Sequence, residues 1–374
     1  MIVYIIMIMI SLFFTYLSVK TEDKLQKIVY IVLTMIPFIV VSGFRYDVGT
    51  DYLYRYVPDF NSIANGIDVE NLEKGFKLII KFCLLFSNNS QLLFIITSIL
   101  ITVFMIAGIN KNSKNILISV LIFGIGGFFF QSLNLVRQFL AMSIVFFAYQ
   151  YLLKKHKTKW YILAVIIAFF IHNSSIIMAV LILCRKKLIF NPWAILVIIS
   201  IIFVFKNTIL QVLTPFIENT RFDVYLIGKY AKGYTSVLYN LVNFAIYSFM
   251  IIFYKTKMKN QMEELCLIDD ICSEDKLLIN IQALALIFTV MSSMHMLFAR
   301  ISYYFSIFQI LSIPYFIETT RIKEVHLGEK GMKKILYGLV ILFFLSLTFY
   351  TNVVHNNNEP LPYISVFDKE RKFN

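Results

Sequence analysis

Charge is scarce in this sequence. Charged residues make up 15% of its 374 positions, against about 25% in a soluble domain. A soluble enzyme needs a polar skin, and this composition cannot supply one. The four cysteines, Cys83, Cys184, Cys266 and Cys272, form no CxxC pair, which excludes a disulfide scaffold and a cysteine zinc site. No P-loop, GxGxxG or GxSxG motif occurs, so neither a nucleotide cradle nor a nucleophile elbow is present. Carboxylates are missing from the apolar runs, and with them the intramembrane proton relay typical of an ion-coupled transporter.

Apolar residues are abundant, at 59%, and mean hydropathy is +0.75. The runs are Ile2–Val19, Ile28–Phe44, Ser90–Ile109, Ile116–Phe130, Leu135–Leu153, Trp160–Cys184, Leu188–Phe205, Ser236–Tyr254, Leu277–Leu297, Ile301–Ile317 and Ile335–Thr351. Lipid requires each backbone group to be paired within its own segment, so such runs are helices. At about 20 residues per span, they predict an all-α polytopic membrane bundle of about 10 crossing helices. Ile2–Val19 follows no basic segment and precedes no small-residue cleavage site, and it reads as a retained span rather than a signal peptide. A shorter helix around Leu72–Phe86 carries Lys74, Lys77 and Lys81, the pattern of a helix lying at the membrane surface.

The net charge of +13 would suggest nucleic acid in a soluble protein. Here the positive-inside rule accounts for much of it, and no nucleic-acid partner is expected. Six clusters, Lys20–Lys27, Lys111–Lys114, Lys154–Lys159, Arg185–Lys187, Lys255–Lys276 and Arg321–Lys334, hold 21 of the 35 Lys and Arg. Placing all six in the cytoplasm makes residues 1–374 one integral membrane domain. Its outward loops are 45–89 and 206–235, and its cytoplasmic loops include 255–276 and 318–334. Both termini then face outward. Trp160–Cys184 then has a basic cluster at each end and must enter and leave on one side. Its middle, Ile171-His172-Asn173-Ser174-Ser175, is polar, so a re-entrant hairpin with His172 near the midplane is predicted.

The densest polar stretch is Gly43-Phe44-Arg45-Tyr46-Asp47-Val48-Gly49-Thr50-Asp51-Tyr52-Leu53-Tyr54-Arg55-Tyr56. Arginine presents a planar fork suited to phosphate oxygens. Tyrosines such as Tyr46, Tyr52, Tyr56 and Tyr304 can stack on sugar rings or anchor at the interface. Arg137, Arg221 and Arg300 also fall at outward margins, where a cation near hydrocarbon is usually paired or functional. Any one of them could be snorkelling to headgroups. Together with Arg45 they suggest a site for a polyanion at the membrane surface, and a lipid diphosphate suits that geometry. His172 is the leading intramembrane base candidate, with His295, Asp47 and Asp51 as alternatives. No Asp/His cluster has metal-ligand spacing, so neither a metal nor a cofactor is expected.

Phe44-Arg45-Tyr46-Asp47-Val48-Gly49-Thr50-Asp51-Tyr52 followed by Tyr56 resembles the signature of the EpsG family, Wzy-like proteins of bacterial exopolysaccharide and capsule assembly. Arg137-Gln138, Phe170-Ile171-His172-Asn173-Ser174, Arg221 with Tyr225, Arg300 with Tyr303-Tyr304-Phe305, and Pro360-Leu361-Pro362-Tyr363 look like the family in the same order. The resemblance implies a GT-C-like, metal-independent polymerase in the bacterial cytoplasmic membrane, of O-antigen-polymerase type. Its substrates would be lipid-linked oligosaccharides on undecaprenyl diphosphate, its surroundings membrane lipids, and a chain-length regulator protein could be a partner. Arg45, Arg137, Arg300 and Arg221 would hold the diphosphate. His172, Asp47 or Asp51 would accept the acceptor hydroxyl's proton, and the anomeric centre would invert. A flippase for lipid-linked glycans and a membrane glycan acyltransferase are the alternative readings.

Overall fold

A computed structural model describes residues 1–185, 187–217, 237–263, 272–321 and 328–368. Arg221 and Tyr225 lie outside the described residues. Those that are described are helical, apart from loops and one isolated antiparallel bridge between Arg45 and Ser365.

The helices are α1 (Ile2–Lys20), α2 (Lys24–Gly43), α3 (Val57–Ala64), α4 (Lys74–Leu84), α5 (Gln91–Asn112), α6 (Ile116–Ile125), α7 (Phe128–Asn134), α8 (Val136–Leu152) and α9 (Thr158–Ile171). They continue as α10 (Leu181–Cys184), α11 (Pro192–Val204), α12 (Lys206–Ile217), α13 (Val237–Glu263), α14 (Cys272–Met291), α15 (Met296–Ser306), α16 (Gln309–Thr319) and α17 (Gly328–Thr348). A π-turn at Tyr52–Tyr56 leads into α3, and another, Phe349–Val354, extends α17.

Five of these helices are long and apolar enough to cross a membrane, and up to eight spans result if each bent pair counts as one. Among the described residues this is the polytopic helical bundle expected. The run Ile116–Phe130 breaks at Gly126-Gly127, where Gly127 takes φ 84 and α6 and α7 meet at 49°. Helix α8 has 17 residues, just short of a span. Helix α14 opens on Glu274, Asp275 and Lys276, which leaves fewer apolar residues to cross with.

The described residues fall into two compact units, one of Met1–Tyr151, Lys159–Ile176 and the described part of 324–374, the other of Leu152–Thr158 and the described part of 177–323. In the first unit α1 packs on α2, and the buried residues of α1 are Tyr4, Met7, Ser11, Thr15 and Ser18. Small polar residues let two membrane helices approach closely, and Thr15 and Thr34 meet hydroxyl to hydroxyl at 3.2 Å. The helices alternate in direction. One end of this unit carries Lys20–Lys27, Lys111–Lys114 and the start of α17 with Lys330, Lys333 and Lys334. The other end carries the loop after α2, the start of α5, the α7–α8 junction and the segment after α17.

The second unit is tied by buried amides. Gln309 Nε2 donates to Asn243 Oδ1 (3.0 Å) and Gln282 Oε1 (3.1 Å), and Asn243 Nδ2 donates to Thr289 Oγ1 (3.2 Å). Lys257 Nζ lies 2.9 Å from both oxygens of the fully buried Asp275.

Residues 158–185 form the hairpin read from their flanking charges. Arg185 Nη1 donates to Thr158 Oγ1 at 2.7 Å. A straight helix of that length would hold its ends about 40 Å apart, so the segment turns back, and it does so through His172 and a 3-10 segment at Asn173–Val180. Helix α9 alone has 14 residues, or about 21 Å.

With the native cysteines removed, Lys157→Cys and Lys187→Cys are expected to react with a membrane-impermeant maleimide from the same side. Within the first unit, Tyr54→Cys and Lys111→Cys are expected to react from opposite sides. Labelling of Lys157→Cys and Lys187→Cys from opposite sides would mean that the segment crosses once.

Candidate functional site

The chain leaves α2 at Gly43 and forms a loop pinned by one buried cation. Arg45 is 1% exposed. Its Nε donates to Val48 O (3.2 Å), Nη2 to Leu133 O (3.0 Å) and Nη1 to Ser42 O. The guanidinium sits 4.8 Å from the Phe94 ring centre and 5.8 Å from that of Tyr52. Burial pushes it down to about 10, which still leaves it charged at neutral pH. A hydroxyl-lined cavity of ≈ 10 Å³ beside it, bordered by Ser42, Thr97, Ser98, Thr102 and Ser132, has room for about one water.

The rest of the loop is equally constrained. Gly49 takes φ +96, and a Cβ there would lie 2.8 Å from Leu133 O. Asn134 Oδ1 accepts from Thr50 Oγ1 (2.8 Å) and the Asp51 amide (2.9 Å), while its Nδ2 donates to Asn358 Oδ1 (3.0 Å). The segment after α17 closes over the loop: Tyr46 N donates to Ile364 O (2.8 Å) and Val366 N to Phe44 O (2.9 Å).

Beside this loop lies a buried charge cluster. Glu73 immediately precedes α4, and its side chain is 1% exposed. Its Oε2 accepts from Arg137 Nη1 at 2.7 Å, and its Oε1 lies 2.9 Å from His172 Nδ1. Arg137 comes from the first turn of α8, and His172 follows the last residue of α9. Gly75 permits the approach, because a Cβ there would lie 2.6 Å from Phe170 O. Any larger residue would push α4 off the end of α9 and take Glu73 with it.

The cluster's border is polar. The Tyr56 hydroxyl donates to Asn134 O (3.1 Å), and burial raises its pKa first of all causes. Asp59 is raised mainly by burial, partly offset by Arg55 and Arg137, with Glu73 and Asp51 acting against them. Asp59 Oδ2 and Arg55 Nε stand 3.8 Å apart, both buried and without a hydrogen bond. An ionised carboxylate only accepts hydrogen bonds, so a charged Glu73 places the His172 proton on Nδ1. The basic lone pair is then on Nε2.

The model of the EpsG family matches residues 27–365. The chain belongs to the EpsG family. No curated protein and no solved structure matches it. Membership makes this a multi-pass membrane protein of the polysaccharide-polymerase kind.

Of the residues expected at the site of this EpsG-family protein, the structure brings Arg137 and His172 together through Glu73. Arg45 directs its donors to backbone carbonyls. Asp47, at φ 48, and Asp51 lie in the loop that Arg45 and Asn134 hold. Tyr46 is partly exposed. Tyr52 is buried, stacks on Phe94 at 4.1 Å and donates to Gln91 Oε1 at 2.8 Å. Tyr56 is also buried, so neither ring offers an open face to a sugar. Arg300 and Tyr304 belong to the second unit, where Tyr304 is fully buried. His295 caps α15, its Nδ1 accepting from Leu297 N at 3.2 Å, which commits that lone pair to a structural bond.

Sequence reasoning missed Glu73, Asn134 and Gln91. A signal for Glu73 was present. An arginine near hydrocarbon calls for a carboxylate, and Gly75 inside an amphipathic helix marks a close backbone approach.

Arg45→Ala leaves the carbonyls of Ser42, Val48 and Leu133 unpaired, at about 1–3 kcal/mol for each buried acceptor. Its unfolding midpoint in detergent is therefore expected to fall below that of the wild type. An unchanged midpoint would make Arg45 a ligand-binding residue rather than a support of the loop.

Proposed function

We propose that this protein polymerises undecaprenyl-diphosphate-linked oligosaccharide repeat units at the outer face of the bacterial cytoplasmic membrane. The growing glycan passes to a sugar hydroxyl of the next lipid-linked unit, with inversion and without a metal, in the manner of GT-C-like glycosyltransferases. One observation carries this reading. The Arg137–Glu73–His172 cluster sits at the end of the first unit opposite its lysine clusters, in a chain that belongs to the EpsG family. By the positive-inside rule the lysine end is cytoplasmic, so the cluster faces outward, where capsule and exopolysaccharide are assembled.

Two functions follow for the cluster. His172 Nε2 takes the proton of the attacking hydroxyl as the glycosidic bond forms. Arg137, whose guanidinium is engaged by Glu73 and by the Tyr56 side chain, would turn its other N–H groups to the diphosphate as negative charge grows on the leaving oxygen. A fixed cation there stabilises the transition state more than the ground state. Arg45 supports this work from behind by holding the Asp47–Asp51 loop. The parts proposed for Arg221, Arg300, Tyr46 and Tyr304 rest on the family resemblance alone, as does a chain-length regulator partner. Helix α4 and the two residues after it, with Leu78, Phe82, Leu85 and Phe86 exposed and Lys74 and Lys81 among them, suit the lipid surface from which the substrate would arrive.

Purified protein in lipid nanodiscs, given lipid-linked repeat units, is expected to yield a ladder of extended products. His172→Ala and Arg137→Ala are expected to abolish the ladder, leaving single units intact and the protein in the membrane. Movement of the lipid across the bilayer without extension, or dependence on an acyl donor, would overturn the polymerase reading.

A further inference from the structure

We propose that Glu73 is the positioning residue for His172, a role that deepens the polymerase reading and rests on it. Three independent features of the structure point to this carboxylate rather than to Asp47 or Asp51. Both of its oxygens are engaged, at 2.7 Å by Arg137 and at 2.9 Å by His172. Its side chain is buried to 1% exposure, while that of His172 keeps 14%, so the imidazole is the more accessible member of the pair. The backbone contact of Gly75 with Phe170 fixes the spacing of the two elements that carry them.

Each engagement has a separate consequence. Arg137 holds the carboxylate ionised and stops it rotating. The ionised carboxylate takes the Nδ1 hydrogen of His172, which orients the ring and leaves Nε2 basic, the same logic by which an aspartate orients the histidine of a hydrolytic triad. As the acceptor oxygen bonds to the anomeric carbon, its proton passes to Nε2. The carbon–oxygen bond to the diphosphate breaks, and the diphosphate leaves with the electron pair. Glu73 then faces an imidazolium, whose charge it offsets until the proton passes to water.

The ionisable groups around the pair come from several elements. Arg137 on α8 touches Glu73 directly, Asp59 on α3 acts on Glu73 and Arg137, and Tyr56 of the π-turn acts on Arg137. Asp51 in the preceding loop acts on Asp59. None of these is altered in the test variants, so a change at His172 reports on Glu73.

The test uses the full-length protein in nanodiscs and two readouts. The first is the pH dependence of diethyl pyrocarbonate modification at His172, followed by mass spectrometry, which needs no substrate. The second is the pH profile of chain extension. Removing a negative charge at hydrogen-bond distance disfavours the imidazolium, so E73Q is expected to lower the modification midpoint by about 1–3 pH units. The acid limb of extension moves with it, and kcat falls by about 10²-fold or more with KM little changed. E73D, which withdraws the charge by one methylene, gives a smaller shift in the same direction and decides the matter if E73Q does not insert. A His172 midpoint unmoved in the variants overturns the positioning role, even if extension is lost. A wild type that shows the midpoint shift against E73Q but no extension defeats the polymerase reading and leaves the positioning intact.

Discussion

Glu73 carries a negative charge into a place with little water, and the surrounding structure is arranged to meet it. An unpaired buried carboxylate is costly, because its desolvation is not repaid. Here one oxygen faces a guanidinium from α8 and the other an imidazole from the end of α9. These helices can converge on it only because Gly75 lets α4 touch the α9 backbone. The pairing therefore sets the relative placement of three elements of the first unit. It also makes those elements interdependent, since removing any one member strands the charge of another.

The neighbouring loop solves the mirror-image problem with different chemistry. Arg45 is equally buried, but its fork meets carbonyl oxygens of Ser42, Val48 and Leu133 and the faces of Phe94 and Tyr52. Carbonyl dipoles and ring quadrupoles stabilise a cation without neutralising it. The guanidinium thus keeps its own charge, while Asp47 and Asp51 of the same loop and the paired Arg137 and Glu73 lie nearby.

The sequence was informative wherever a single segment decided the outcome. Spans α1, α2 and α5 follow directly from uninterrupted apolar runs. The hairpin through His172 follows from a basic cluster at each end of one run. The helix at residues 74–84 follows from lysines three and four apart. What stayed hidden depends on residues far apart in the chain. Glu73 is 64 residues from Arg137 and 99 from His172, and no local pattern links them. Arg45 looked like a ligand-binding arginine because its partners are backbone carbonyls, which leave no trace in residue types. The bend between α6 and α7 was overlooked because the run continues apolar through Gly124-Ile125-Gly126-Gly127, although Gly127 in the left-handed region marks the break.

The segment that follows α17 bears on the order in which the protein is made. Its Pro360 carbonyl accepts from Tyr4, 356 residues away in the chain, and its backbone pairs with the Arg45 loop. During synthesis α1, α2 and that loop enter the membrane long before residues 358–366 leave the ribosome. The loop therefore acquires these bonds only after residues 358–366 have been made. The fastening of an early loop thus depends on a late segment of the chain.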